Sequence, residues 1–346
     1  VIDFRYHLVS IVAVFLALAI GIVLGATNLR GGTLDLLQST NDSLKNQLTA
    51  AQAARDGYLS QSSAAEQYLQ SAEPTLLARQ LKGENLVIVT EPGAQGSVVD
   101  GIKQAATLAG ATVTGEVALQ PKFNDISGAN QSSLSSINNS VASQDGATLA
   151  TGSNPQTTYQ QQAAQLIATA ILASTTTAVA PTDAQQILSA YAQGGYLTVS
   201  PAGAPTAPAQ LAVIVTPQSA PADGENDPAN QVLLAVAQEF AGASSATLVA
   251  GSALGSAQSG SAMSVLRSSS VSSQVSSVDD ADLTLGQITV VDALANQLAG
   301  KKPNSYGISG ASAVSPSPLP TPTATSTPTQ TATPHSTTTR KAGAKK

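Results

Sequence analysis

The chain has 346 residues, a formal net charge of −6, one methionine, two histidines and 3% aromatic residues, enough length for one or two domains with a real core. It has no cysteine, so disulfides, cysteine nucleophiles and thiolate metal sites are excluded. Between Gly83 and Gly300 fifteen acidic residues stand against three basic ones (Lys103, Lys122 and Arg267), a balance unsuited to nucleic acid, whose phosphates need Lys/Arg neutralisation.

The first element is a membrane segment. From Leu8 to Leu29, 22 residues carry no charge. Roughly 20 apolar helical residues, at about 1.5 Å each, cross a hydrocarbon core of about 30 Å. A cleaved signal peptide has a shorter apolar core, about 7–15 residues, and needs small residues before its cut; Leu24-Gly25-Ala26 offers Leu there. Residues 1–29 therefore read as an uncleaved signal anchor in the cell membrane. Arg5 before the span, set against Asp3, gives a slight positive-inside bias that puts the bulk of the chain outside the cytoplasm.

Residues 30–73 carry heptads. Leu34, Asn41 and Leu48 fall at a; Leu37, Leu44 and Ala51 fall at d. Arg55, Gly57 and Ser62 weaken the later repeats. Such a stripe serves a coiled coil or a helix packed on its own domain. A lone Asn at an a position fixes register and two-strandedness, so Asn41 favours a parallel homodimer. Pro74 is expected to end the helix. A rod from Thr33 to Glu73 would be about 60 Å long and would hold the next domain away from the bilayer.

Residues 74–310 alternate strand and helix patterns. Asn85–Thr90 reads as a buried strand, followed by a turn, a helix through Val98, Ile102 and Ala105 capped by Gly110, and a strand at Thr112–Leu119. Helices are predicted around Ser132–Val141, Tyr159–Ala173 and Asp183–Ala192. Strands follow at Gln210–Pro217 and Ala246–Ala253, with a helix at Pro228–Ala241 between them. A short helix at Gly260–Ser268, a strand around Val271–Val278 and a helix at Thr284–Leu298 complete the pattern. This alternation predicts an α/β ectodomain with a mostly parallel sheet covered on both faces. Residues 311–346 are rich in Pro, Ser and Thr, with too few large apolar side chains to fold, and predict a disordered tail suited to O-glycosylation. The basic end, Arg340 to Lys346, suits either contact with acidic envelope polymers or plain solvation.

Little chemistry is on offer. His7 lies at the membrane edge and His335 in the tail, so the α/β region has no histidine base and no catalytic residue is assigned. Pro92–Ser97 lies where a phosphate loop would sit but lacks the G-x-G-x-x-G spacing; it is a tight turn or a weak anion site. Two acidic clusters, Asp223, Glu225 and Asp227, then Asp279, Asp280 and Asp282, are weak candidates for a hard cation without an EF-hand pattern. Asp282 also suits a helix cap. Met263 is the only soft metal donor of the α/β region.

The opening FRYHLVSIVAVFLALAIGIVLGATNL (Phe4–Leu29), LAGATVTGEVALQPKF (Leu108–Phe123) and VSSVDDADLTLGQITVVDALANQLAGKKPNSYG (Val275–Gly307) resemble the MctB family of actinobacterial envelope proteins over about residues 2–310. The resemblance implies a role in copper efflux, including an outer-membrane location, with copper known only through that likeness. Family members are also linked, under the name SteB, to a membrane partner, SteA, that controls peptidoglycan cleavage during cell division. An anchor, a rod and an α/β head without catalytic residues suit that non-enzymatic adaptor role.

Overall fold

In a computed structural model the described residues are 4–152, 154–173, 180–202 and 205–316, with the side chains of 27–35 and of residue 181 outside the description. The chain divides into two compact units, Val1–Ala72 and Glu73–Lys346. The expected tail from residue 317 onward lies outside the described residues.

The first unit is helical. Helix α1 runs unbroken from Phe4 to Leu76. Its stretch Phe4–Ala26 is long and apolar enough to cross a membrane, and none of it is buried against protein. The expected division at residue 30 is thus no break in the backbone. The expected stop at Pro74 is also corrected. Proline removes one N–H and crowds the preceding turn, yet Pro74 sits in the last turn, and the Leu77 N–H still donates to the Glu73 carbonyl at 2.9 Å.

The second unit is a seven-stranded sheet. In chain order its elements are β1 (Asn85–Thr90), α2 (Gly96–Leu108), β2 (Thr112–Leu119), α3 (Gly128–Asp145), α4 (Thr158–Ile171), α5 (Pro181–Gln193), β3 (Leu197–Ser200), β4 (Leu211–Val215), α6 (Pro228–Ala243), β5 (Ala246–Ala250), α7 (Ala253–Ser256), α8 (Ala262–Ser268), β6 (Ser276–Val278), α9 (Thr284–Leu298) and β7 (Ser305–Tyr306). The strand order is β3-β2-β1-β4-β5-β6-β7. All pairs are parallel except β2 with β3. Strands β4 and β5 are buried at every position, which explains their unbroken apolar runs: helices cover both faces of a parallel sheet. Val87, Val89, Ile214 and Val249 face one side, where Leu166, Ile167, Val236, Phe240 and Leu266 from α4, α6 and α8 pack on them. Helices α2 and α9 pack together on the sheet's other side.

Two strands were absent from the sequence pattern. β3 has four residues and β7 has two, and both are edges. The strand expected around Val271–Val278 shrinks to Ser276–Val278, because Ser270–Ser273 forms a 3-10 turn capped by the Ser269 hydroxyl. Gly110 closes α2 at φ +89, and a Cβ there would come within 3.2 Å of the Lys82 backbone. The folded unit extends past residue 310, since Tyr306 and Ala313 form a β-bridge.

Candidate functional site

Buried polar groups gather at the carboxyl ends of the parallel strands, among them Thr90, Glu91, Thr216 and Asp279. The chain leaves β1 towards β2 and returns to β4 on the other side, so β1 and β4 define the switch point where open α/β sheets bind ligands. One residue past the strand ends, the Glu91, Thr216, Gly251 and Asp279 N–H groups donate to the Val215, Ala250, Val278 and Tyr306 carbonyls at 2.8–3.3 Å. The ladder thus extends by one row, and in register these four residues share one face. Gly251 leaves room in that row: a Cβ there would lie 2.6 Å from Ser256 Oγ, 2.8 Å from Thr216 Oγ1 and 3.2 Å from Met263 Cε.

Glu91 is buried, and among the described residues its Oε1 has no hydrogen-bond partner; neither has the buried Oδ1 of Asn124. Burial raises the Glu91 carboxyl to about 7, against a smaller opposing effect of the hydrogen bond with the Asn124 side chain. The switch point itself is bridged. Ala94 pairs with Pro217, and the Gln218 N–H donates to the Gly93 carbonyl at 3.2 Å. The turn Pro92–Ser97 is therefore committed to the turn after β4.

The acidic candidates separate into distinct tasks. Asp279 is fully buried and saturated. Its Oδ2 accepts from Arg267 Nη1 at 2.7 Å and from the Ser309 N–H at 3.0 Å, and its Oδ1 accepts from the Ile308 N–H at 2.7 Å. Arg267 also donates to the Ser277 hydroxyl and to the Tyr306 and Ser309 carbonyls. This knot ties β6, β7 and α8 together. Asp280 points to the opposite face, buried with neither oxygen partnered by another residue among those described; burial and then the Asp279 charge raise it to about 6, against a smaller opposing effect of its own backbone N–H. Asp282 accepts from the Ala253 N–H at 2.8 Å, at the start of α7 rather than of the adjoining α9. Asp227 caps α6 through the Ala229 N–H, while Asp223 and Glu225 are exposed. Met263 is buried in the apolar core. Among the described residues no three His, Cys, Asp or Glu side chains converge to hold a metal ion.

Along α1, Leu37, Leu44 and Leu48 are exposed in the single chain, as are Asn41 and Ala51, whereas the Leu34 side chain falls outside the description. Sequence reasoning missed Glu91 and Asn124 as a pair and used Arg267 only in the charge balance. The signal for Glu91 was an acid directly after the apolar run NLVIVT.

A long apolar N-terminal helix and an α/β unit in which Asp227, Asp279 and Asp282 hold local structure define a candidate membrane-anchored protein, with no metal-holding cluster of His, Cys, Asp or Glu among the described residues. Comparison with known proteins makes the assignment specific. Residues 1–316 match the family model described as "Copper transport outer membrane protein, MctB", and the chain belongs to that family. It is 30% identical over 321 residues to "Copper transporter MctB" of Mycobacterium tuberculosis and of Mycobacterium bovis, covering 91% of this chain and 99% of each relative. The Mycobacterium leprae protein of the same name is 29% identical over 325 residues, with the same coverage.

Proposed function

We propose that the protein is a membrane-anchored envelope component of copper efflux and homeostasis, assembled as a parallel homodimer along α1. Family membership carries this reading: relatives matched over nearly their whole length bear copper-transporter names. Phe4–Ala26 supplies a single-pass anchor with the α/β unit extracytoplasmic, and the family description points to the outer membrane as the alternative location. The exposed leucines at 37, 44 and 48, with Leu34, Asn41 and Ala51, supply the dimer seam.

Copper enters this reading as cargo. Cu(I) selects thiolate, thioether or imidazole, and among its described residues the α/β unit offers only the buried Met263. Its carboxylates fit that ion poorly, and the non-enzymatic reading rests on the transporter name that the family and its relatives bear. The test is the copper content of cells lacking the protein, grown in added copper. Deletion should raise cell copper and the full chain should restore it; copper unchanged by deletion overturns the reading. A second reading rests on the family resemblance alone, an adaptor that engages a SteA-like membrane partner in peptidoglycan cleavage. Division defects at unchanged cell copper would select it.

A further inference from the structure

A groove of about 200 Å³ opens in the helical layer of the α/β unit, where α4, α6 and the 3-10 turn Ser270–Ser273 meet. Helix α6 supplies one wall: Gln231, Leu234 and Gln238 recur three and four residues apart and so share a face. Asn154, Thr157 and Gln161 come from α4 and the loop that leads into it, and Ser270 and Val271 come from the turn. The lining is carboxamide, hydroxyl and aliphatic. Fifteen acids and three bases lie between Gly83 and Gly300, and none of them lines this groove. A charged ligand would lose hydration there and meet no counter-charge.

Part of this lining holds the fold. Asn154 Oδ1 accepts from the Gln156 N–H at 2.9 Å, and Asn154 Nδ2 reaches Gln231 Oε1 at 3.5 Å. Gln161 Nε2 donates to Glu239 Oε1 at 2.7 Å, which turns that carboxylate towards α4. Other polar groups of the lining serve no such purpose. The whole Gln238 carboxamide, Gln231 Nε2 and the Ser270 hydroxyl have no partner among the described residues. They are also within reach from outside, since Gln231 and Gln238 are half-buried and Ser270 is exposed.

We propose that the groove binds the ring of a neutral pyranose sugar, its hydroxyls on the Gln231, Gln238 and Ser270 groups and its C–H face on Leu234 and Val271. A carboxamide sets donors and an acceptor side by side, and a sugar hydroxyl both donates and accepts, so the two are matched group for group. The volume lies below the roughly 300–1,000 Å³ of drug-sized sites and suits a single ring. A peptide is neutral too, but its N–H only donates, its carbonyl only accepts, and the two are spread along a chain. The inference is independent of the copper reading and survives its failure.

The test uses the full chain in phosphatidylcholine nanodiscs and saturation-transfer NMR. The probes are the methyl glycosides of glucose, galactose, mannose and N-acetylglucosamine. Tetrahydropyran-2-methanol keeps the ring without the ring hydroxyls, and N-acetylalanine methylamide stands for a peptide. At least one glycoside should bind about tenfold tighter than tetrahydropyran-2-methanol. Gln238→Met keeps the stem and loses the amide, and it should weaken that glycoside about fivefold; Ser270→Ala should weaken it in the same direction. Neither side chain bonds to the rest of the fold, so both variants should fold as the parent does. No binding by any of the four glycosides, equal binding of tetrahydropyran-2-methanol, or indifference to Gln238→Met overturns the proposal. Tighter binding of N-acetylalanine methylamide than of every glycoside overturns it in favour of a peptide site.

Discussion

A carboxyl group cut off from water keeps its proton, and Glu91 is in that position at the end of β1. Unfolded, it titrates near 4.5; folded, at about 7. The folded state therefore binds the proton more tightly. The resulting stabilisation is fully present below about pH 4.5, fades as the pH rises to about 7 and is absent above that. A shift of roughly 2.5 units amounts to about 3 kcal/mol. Glu91→Gln carries no such titration, and its amide adds an N–H donor beside the side chain of Asn124, whose Oδ1 lacks one. The variant should match the parent near pH 4.5 and exceed it by about 2–3 kcal/mol at pH 8. Urea unfolding followed by the fluorescence of the buried Tyr191 and Tyr196 would measure this in a chain without tryptophan. Asp280, raised with the same sign to about 6, leaves the variant a residual slope. Identical pH slopes in parent and variant would show that Glu91 is ionised in the fold.

At the scale of the element, α1 offers the sharpest test. In a parallel two-stranded coil, residues at a face their own copies, whereas residues at f point outward. The absence of native cysteine makes single substitutions clean reporters. Asn41→Cys in the full chain should oxidise to a covalent dimer, and Ser39→Cys, at f, should stay monomeric under the same conditions. Equal cross-linking at both sites, or none at Asn41→Cys, would deny the parallel register. The elements also show how far the sequence was legible. β1, β2 and α9 fall on their predicted residues, because long apolar runs and 3.6-residue periodicity carry local information. β3 and β7 do not, because they are edge pairings of four and two residues held by distant partners. β7 depends on Arg267 and Asp279, 27 and more residues away in the chain, and no local pattern announces that knot. The acidic clusters were visible as composition only. Whether Asp227 caps a helix, Asp279 binds an arginine or Asp280 is left unpartnered is decided by tertiary neighbours.

For the whole molecule the question is which part a copper function uses. The α/β unit has one soft donor, Met263, and it is 1% exposed among Leu266, Val271 and other core side chains. Met→Leu conserves volume and typically costs less than about 1.5 kcal/mol. If Met263 only fills the core, Met263→Leu cells should hold the same copper as parent cells. The anchor and rod make a different demand. Leu44→Asp places a charge at a d position, where a parallel dimer buries an apolar seam. If copper handling requires the dimer, this substitution should raise cell copper to the level of the deletion while the α/β unit stays folded. Measured side by side by elemental analysis, the two variants separate the routes. Copper raised only by Leu44→Asp locates the function in the assembly. Copper raised only by Met263→Leu locates it at a thioether that must leave the core to meet its ion.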